Sequence, residues 1–182
     1  MPALKYEYLP RYKIDDYQRW EGDWELIKGI PFAMAPSPVK KHQQIIGYIW
    51  REMINNLKCE NCEVTIDTDY IIDDETVLRP DVALVCDDDS EKITKTPEIV
   101  VEVVSPLTLH KDLNLKFELY EEEKVKYYII IFPNELIAKV YKLQGKTYEK
   151  VGSFREEEVE FDIKCPLKIN FNNVFEKFKE KK

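Results

Sequence analysis

An apolar run of six residues, 99–104, contains a single charged side chain, Glu102. The run, Ile-Val-Val-Glu-Val-Val, is apolar on both parities except at Glu102, which is typical of a central β-strand covered on both faces. An ionised carboxylate in the middle of such a strand is costly unless it is paired or binds a cation. The chain must therefore fold so that Glu102 meets either a basic side chain, in a buried ion pair, or a metal ion.

A second acidic residue, Asp81, stands at the start of another apolar run, residues 82–86. Pro80 before it fixes one backbone torsion and favours an extended conformation at Arg79. Asp81 is therefore predicted to lie at the mouth of a strand. By itself, this position also fits an ordinary strand start or a cap.

A lysine, Lys116, interrupts the apolar face of a helix predicted over residues 109–123. At about 100° per residue, its neighbours on that face are Leu109, Leu113, Phe117 and Tyr120. The side chain of Lys116 is therefore predicted to point inward. Asp112 lies one turn before Lys116, so a local ion pair, or a lysine that extends along the apolar surface to water, is the simpler alternative.

The rest of the pattern predicts one mixed α/β (α+β) domain over residues 1–182, because no repeat, low-complexity segment or linker divides the chain. A stripe of apolar residues predicts a helix over residues 40–57, capped by Ser37. The other predicted elements are a short helix at 14–20, a hairpin with strands at 24–28 and 31–35, strands at 63–72, 77–86, 98–104, 127–132 and 137–143, and a C-terminal helix and tail at 171–182.

Together, Asp81, Glu102 and Lys116 suggest an active site. Two carboxylates from adjoining elements can hold Mg²⁺, which uses one or two carboxylates together with water and substrate phosphate. A nearby ammonium group can place the attacking water or stabilise charge that develops on a phosphate. The alternatives are a binding or scaffold protein that keeps a residual metal site without turnover, and a buried ion network that binds no metal.

Three motifs, in this order along the chain, resemble the Uma2 (DUF820) family of restriction endonuclease-like proteins in the PD-(D/E)XK nuclease superfamily. They are RPDV at residues 79–82, VEVVSP at 101–106 and KDLNLKFELY at 111–120. The similarity covers roughly residues 15–145 and includes WELIKGIP at 24–31 and VKYYII at 125–130. It implies a restriction-endonuclease-like mixed β-sheet flanked by helices, and hydrolysis of DNA phosphodiester bonds.

The resemblance also implies roles for individual residues. Asp81, Glu102 and Val103 match the metal ligands, with Mg²⁺ as the expected cofactor and Mn²⁺ as a possible substitute. Glu25 matches the family's early acidic residue, and Lys116 matches its catalytic lysine. The parent superfamily places its lysine two residues after the acid, where this chain has a valine, so the ammonium group must come from the helix.

Four residues beside the predicted centre need separate consideration. Glu25 alternates with apolar neighbours, so the pattern alone would place it toward solvent; its catalytic role comes from the resemblance. His42 lies on the apolar stripe of its helix, which is more typical of a core histidine than of a ligand, and it is predicted to support the site together with Asp112. Ser105 either binds phosphate or, as we favour, caps the loop before Pro106.

The composition limits how this chain could bind a nucleic acid. With 27 Lys+Arg against 35 Asp+Glu, its formal charge is −8, which opposes non-specific attachment to DNA or anionic lipid. A DNA substrate would have to meet a local basic patch, although a solvated charged face explains the same lysines more simply. The candidates are Lys40, Lys41, Lys92, Lys95 and Lys111. Cutting both strands of a duplex favours a homodimer or higher homo-oligomer.

The remaining expectations concern location, cysteines and the C-terminus. Without an apolar leader or a run of about 18 apolar residues, a cytoplasmic protein is expected. Cys59 and Cys62 form a CxxC motif that could hold half a zinc site or a redox pair, but a structural role is favoured, because Cys86 and Cys165 supply no second pair. Cys86 is predicted to be a small core side chain. The C-terminal helix is predicted to pack on the domain or on a partner.

Overall fold

The structure is a computed structural model that describes residues 8–34 and 39–179. Its helices are α1 (Ile14–Tyr17), α2 (Lys40–Asn56), α3 (Lys116–Glu122), which continues a π-helical turn at Lys111–Leu115, and α4 (Phe171–Phe175), which continues into a 3₁₀ turn at Glu176–Phe178. Its strands are β1 (Trp24–Ile27), β2 (Ile30–Ala33), β3 (Cys62–Ile66), β4 (Tyr70–Asp73), β5 (Thr76–Leu78), β6 (Val82–Cys86), β7 (Ile99–Val103), β8 (Tyr127–Phe132), β9 (Ile137–Gln144), β10 (Thr147–Phe154), β11 (Glu158–Phe161) and β12 (Leu167–Asn170).

The largest sheet has six strands in the order β10-β9-β8-β7-β6-β3. Strands β7 and β8 are parallel, and the other neighbours are antiparallel. A parallel pair needs a crossover connection, and here the π-helical turn and α3 form it. A four-stranded sheet, β2-β1-β5-β4, and a β11–β12 ribbon complete the fold. Helix α3 is thereby connected directly to β7, the strand that carries Glu102.

Two apolar cores cover the two faces of the six-stranded sheet, and alternate residues of β7 contribute to both. Ile99, Val101 and Val103 belong to the core that contains residues of α2 and α4, the α2 core. Val100 belongs to the core that contains residues of α3, the α3 core. Every residue of β7 is buried, as expected of a central strand. Because side chains alternate along a strand, Glu102 shares the side of Val100 and faces the α3 core.

Two of the predicted strands are wrong in extent, because each is divided between the two sheets. The predicted strand 63–72 forms β3 and β4, with Asp67 between them at a positive φ of 50°. The predicted strand 77–86 forms β5 and β6, and the break contains Pro80, which cannot donate a ladder hydrogen bond. The chain leaves the large sheet at the first break and returns to it at the second, so Asp81 lies at the boundary between the sheets.

The predicted helices are present with changed limits. The helix predicted at 14–20 ends at Tyr17, and α2 occupies residues 40–56 of the predicted 40–57. Ser37 lies outside the described residues, and the residue preceding α2, Val39, makes no side-chain cap. Strands β10, β11 and β12 were not predicted from the pattern. Helix α4 packs on the domain, because its apolar residues are buried in the α2 core.

The structural role predicted for the cysteines is confirmed, but their pairing was not predicted. Cys59 forms a disulfide with Cys165, and Cys62 forms one with Cys86, which lies directly opposite it in the β3–β6 register. Cys86 lies in the α2 core, as predicted, and is also half of a cross-strand disulfide. The CxxC motif is neither a redox pair nor half of a zinc site, because its two cysteines pair elsewhere. Disulfides are typical of oxidising compartments and of some hyperthermophiles, so the cytoplasmic location stays a prediction. Among the described residues, no helix is long and apolar enough to span a membrane.

Candidate active site

Asp81 is held next to the strand that carries Glu102. Its Oδ2 accepts a hydrogen bond from the main-chain N–H of Val103 at 2.7 Å. Val103 follows Glu102 in β7, and β7 pairs with β6, the strand that starts just after Asp81. The side chain of Asp81 is 20% exposed, and that of Glu102 is 4% exposed. The two sequence-predicted acids therefore lie at one place in the fold, Glu102 within β7 and Asp81 directly before the adjacent strand β6.

Glu102 is met by two donors from α3. Its Oε1 accepts a hydrogen bond from Lys116 Nζ at 2.7 Å and another from the Tyr120 hydroxyl at 2.9 Å. Tyr120 follows Lys116 by four residues, so both lie on the same side of the helix. The sequence pattern predicted Tyr120 on this inward side, but only as one of the residues of the apolar face. A tyrosine hydroxyl needs a partner when it is buried, which was the available indication of its contact.

A π-helical turn before α3 brings a second lysine toward the same place. On a regular α-helix, Lys111 and Lys116 would be about 140° apart around the axis. In a π-helix the hydrogen bonds join residues five apart, so two such residues lie closer to the same side of the helix. Both ammonium groups form salt bridges with Glu25. The same change of phase leaves Leu109 36% exposed, so its predicted inward position is wrong. Short π-helical segments are frequent at functional sites.

Glu25 is fully buried, although alternation along its strand would place it toward solvent. The reason is tertiary, because β1 lies inside the four-stranded sheet between β2 and β5. Glu25 Oε1 accepts hydrogen bonds from the main-chain N–H of Arg79 at 2.9 Å and lies 2.7 Å from Lys116 Nζ, and its Oε2 pairs with Lys111. Glu25 thus ties the break between β5 and β6 to both lysines.

Burial and mutual repulsion raise the pKa of these carboxyl groups, whereas the nearby lysines lower it, and the balance differs from one group to the next. Burial, reinforced by the neighbouring carboxylates, raises the pKa of Glu102 well above its usual range despite the opposing charge of Lys116. Burial also raises the pKa of Asp81 to about 6 and raises the pKa of Asp112. Burial alone would raise the pKa of Glu25 too, but the charges of the two lysines lower it overall. Glu25 is therefore the ionised partner of the lysines, and the other acids are held at an energetic cost.

Lys116 is a permanent cation at neutral pH in this arrangement. Burial lowers the pKa of a lysine, but the carboxylates of Glu102, Glu25 and Asp112 outweigh that effect and raise it well above its usual range. Lys116 Nζ lies 2.7 Å from both Glu102 Oε1 and Glu25 Oε1, and 3.5 Å from the Arg79 carbonyl oxygen. It can donate hydrogen bonds and stabilise negative charge, but it cannot accept a proton as a general base.

The acids outnumber the bases in this cluster. Its carboxyl groups belong to Glu25, Asp81, Glu102 and Asp112, and its ammonium groups to Lys111 and Lys116. When all are ionised, the cluster carries two more negative than positive charges, in surroundings where an unpaired charge is costly. A divalent cation would remove this imbalance.

His42 and Ser105 flank the cluster in different ways. His42 Nε2 donates to the carbonyl oxygen of Val103 at 2.6 Å and lies 3.8 Å from Asp81 Oδ2. Among the described residues, its buried Nδ1 has no hydrogen-bond partner. Ser105 Oγ accepts from the N–H of Thr108 at 3.2 Å, the local cap that the sequence favoured. His42 therefore contacts the predicted ligand residues, whereas Ser105 shapes the turn after β7.

A cavity of about 510 Å³ opens onto this cluster. Its walls combine the charged residues with the start of α2, the turn after β7 and the break between β5 and β6. Residues at its wall include Asp81, Glu102, Lys111, Lys116, His42 and Ser105. Glu25 does not line it and acts from behind the lysines. A substrate group in the cavity could thus reach both acids and the lysines together.

A mixed sheet with one acid in a central strand, another at the start of the adjacent strand and a lysine from the following helix defines a restriction-endonuclease-like protein. The chain belongs to the Uma2 family, whose model, described as "Putative restriction endonuclease", matches residues 14–162. The predicted family and fold class are therefore confirmed. The family description supports assignment to the nuclease class of hydrolases.

One solved structure similar to this chain is titled as a putative nuclease belonging to DUF820 from Anabaena variabilis ATCC 29413. The two share 15% sequence identity with a TM-score of 0.71, over 90% of this chain and 97% of that one. At this identity, the likeness concerns the fold. A search of curated proteins found no match.

Proposed function

We propose that this protein is an endonuclease that hydrolyses DNA phosphodiester bonds and depends on Mg²⁺, with Mn²⁺ as a substitute. The observation that carries the proposal is the excess of buried carboxylates beside a cavity. Charged groups are rarely buried without compensation, and here the acids exceed the lysines that could neutralise them. The membership of the Uma2 family supports a nuclease, and the choice of DNA and of metal is the finer part of the proposal.

The residues present fit a hard cation. Asp81 and Glu102 offer carboxylate oxygens, and Val103 offers a main-chain carbonyl oxygen. Among the described residues, no group of three or more His, Cys, Asp or Glu side chains is arranged to hold a metal ion. Mg²⁺ does not require one, since it commonly uses one or two carboxylates and keeps several waters. The three residues predicted as ligands from the sequence are thus the set that we propose.

A bound divalent cation would lower the pKa of a coordinated water and neutralise charge on the scissile phosphate. The chain's own residues would hold this arrangement in place. Lys116, as a permanent cation, would orient the attacking water or donate to the phosphate. Glu25 and Tyr120 would fix Lys116 and Glu102, respectively. His42 would orient the Val103 carbonyl, as partners of ligand groups commonly do in metal sites.

One observation favours a rival function, a nuclease-fold scaffold without turnover. Lys116 already contacts three protein acceptors, the Glu25 and Glu102 carboxylates and the Arg79 carbonyl. If these contacts persist with DNA bound, the ammonium group cannot reach the phosphate. A metal-free ion network would make the same contacts. Metal binding separates these cases, because a ligand that binds only the folded state raises its stability.

The test is nicking of supercoiled plasmid with Mg²⁺, with Mn²⁺ and with EDTA. We expect metal-dependent nicking by the wild type, none by Asp81→Asn, and normal nicking by Glu149→Gln, a matched change of an exposed acid on β10. Metal-linked stabilisation without nicking would favour the scaffold. The absence of both nicking and metal-linked stabilisation would favour the ion network.

A homo-oligomer with two sites and a cytoplasmic location remain parts of the proposal. Light scattering tests the oligomeric state.

A further inference from the structure

The outer side of α2 is basic although the whole chain is acidic. The helix carries Lys40, Lys41 and Arg51, and its one acidic residue, Glu52, is buried at 6% exposure. Its solvent side therefore has positive charges without negative ones, in a chain whose formal charge is −8. A solvated helix in an acidic protein would ordinarily mix both signs. The separation of charge on α2 points to an anionic partner.

Aromatic rings hold several of these cations at the surface. The Arg51 guanidinium lies 5.0 Å from the ring centroid of Tyr48, and Lys177 Nζ lies 5.2 Å from the same centroid. Lys41 Nζ lies 5.8 Å from the ring of Phe178, which meets Tyr48 edge-on at 5.7 Å. Cation–π contacts of this kind fix the position of flexible basic side chains. The 3₁₀ turn after α4 thus adds Lys177 to the charges of α2.

The acids near this surface are directed elsewhere. Glu176, which precedes Lys177, contacts the amide of Asn172 at 3.5 Å. Glu156 pairs with Lys179 at 2.6 Å. Among the described residues, these contacts leave the charges of Arg51 and Lys177 facing aromatic rings rather than carboxylates. We call the surface formed by Lys40, Lys41, Arg51 and Lys177 the basic face.

A glycine in the interior of α2 gives a second, independent observation. Gly47 is seven residues after Lys40 and four before Arg51, so it lies on the basic face. A Cβ at this position would meet nothing within 4 Å, and the residue has no positive φ. Glycine is unfavourable in a helix interior, and neither packing within the described chain nor backbone conformation requires it here. A partner backbone that approaches the helix closely would require a residue without a side chain at this position.

We propose that the basic face binds the phosphate backbone of duplex DNA and leads it to the cavity. This inference rests on the proposed function and adds the binding surface to it. The start of α2 forms part of the cavity wall through Val39, His42 and Gln43, so the basic face is continuous with the site. From Lys40 to Arg51, the helix spans about 16 Å at 1.5 Å per residue. That is the axial rise of about five base pairs.

The test measures binding of a fluorescent duplex of about 20 base pairs by anisotropy, in EDTA and over a range of salt. The variant Arg51→Gln/Lys177→Gln is compared with Lys146→Gln/Lys150→Gln, which removes the same charge from the β9–β10 end of the sheet. Loss of two phosphate contacts should reduce the slope of log Kd against log salt by about 1.8 and weaken binding at least tenfold near 0.1 M salt. We expect the control to stay within twofold of wild type.

A third variant, Gly47→Glu, places an acid on the basic face where it meets no protein atom. It should weaken binding without lowering Tm.

Equal losses of DNA affinity in both double variants, or no loss in either, would overturn the inference. So would a change in molecular mass by light scattering in Arg51→Gln/Lys177→Gln, which would make the face a contact between copies. Selective weakening in a protein that never nicks DNA would uphold the basic face and refute the proposed hydrolysis. Nicking by the wild type, together with an unchanged Kd in Arg51→Gln/Lys177→Gln, would uphold the proposed hydrolysis and refute the basic face.

Discussion

The buried carboxylates on the two sides of the six-stranded sheet differ in their hydrogen-bond partners. On the α2 side, Glu52 is 6% exposed and accepts hydrogen bonds on both oxygens from neutral donors: Asn56 Nδ2 and Asn170 N on Oε1, and Asn173 Nδ2 on Oε2. On the α3 side, Glu102 is 3% exposed, and both of its hydrogen bonds from described residues reach Oε1. One carboxylate is saturated by neutral donors, whereas the other shares its lysine with a second acid.

This difference is the one expected between a structural acid and the metal ligand that we propose. A buried carboxylate that serves only the fold is best satisfied by hydrogen bonds that need no charged partner. The α2 side also contains both disulfides and the docked α4 helix. The α3 side instead concentrates acids that repel one another, an arrangement that functional sites share. We therefore expect changes to buried residues of the α2 core, away from His42 and the basic face, to lower stability with normal catalysis. Changes to the buried acids on the α3 side should lower catalysis with normal stability.

The largest expected effect is on the α2 side. Replacing Cys59 and Cys165 by alanine opens a disulfide that closes a separation of 106 residues. The chain-entropy model gives about 4.7 kcal/mol for a loop of this size. Urea unfolding of the double variant should show a loss of that order in the free energy of unfolding. Chemical reduction of the wild-type disulfides should also lower the free energy of unfolding. If nicking per folded molecule also falls, the division between the two sides is wrong.

The second effect is on the α3 side. Glu102→Gln keeps the shape of the side chain but removes a proposed metal ligand, so we expect nicking to fall about a thousandfold, equivalent to several kcal/mol. In metal-free buffer the variant should be at least as stable as wild type, because burial disfavours the ionised form. Circular-dichroism melting and plasmid nicking on one preparation check both parts. A variant that nicks normally would remove Glu102 from the mechanism.

The third effect is a pH dependence at Asp81. Burial raises the pKa of Asp81 to about 6 from an ordinary 3.8, so the folded state holds this proton more tightly than the unfolded state. Without metal, the contribution of Asp81 to the free energy of unfolding should fall as pH rises from about 4 to 6, by about 2 kcal/mol after allowance for partial exposure. Asp81→Asn removes this contribution. The difference between the unfolding curves of the variant and the wild type in EDTA measures it; a difference independent of pH would refute the shift.

The sequence revealed the centre of the candidate site because charges stand there where the pattern requires apolar residues. Glu102 interrupts a central strand, and Lys116 interrupts the inward face of a helix. Glu25 could not be placed in the same way, since its burial depends on the neighbours of β1 in a sheet formed by distant segments. Its predicted role came from the family resemblance, and its burial was not predicted.

The features that the sequence did not reveal all depend on long-range geometry. Apolar periodicity cannot show that the chain changes sheets near Asp67 and Pro80, because both halves of each predicted strand keep the same pattern. The π-helical turn that recruits Lys111 has no periodicity of its own. The disulfides pair cysteines 106 and 24 residues apart, and the spacing of four cysteines allows three pairings.

The smallest effect completes the comparison with a matched substitution. Glu52→Gln makes the same chemical change as Glu102→Gln, but it replaces a carboxylate oxygen with an NH₂ group that must face a donor. Whichever way the amide turns, Asn173 or the N–H of Asn170 loses its acceptor. Leaving one buried donor unsatisfied costs about 1–3 kcal/mol. Urea unfolding should show that loss, with metal-dependent nicking of the folded protein unchanged. If Glu52→Gln impairs nicking and spares stability, the saturated carboxylate belongs to the chemistry, and the assignment of the two sides must be exchanged.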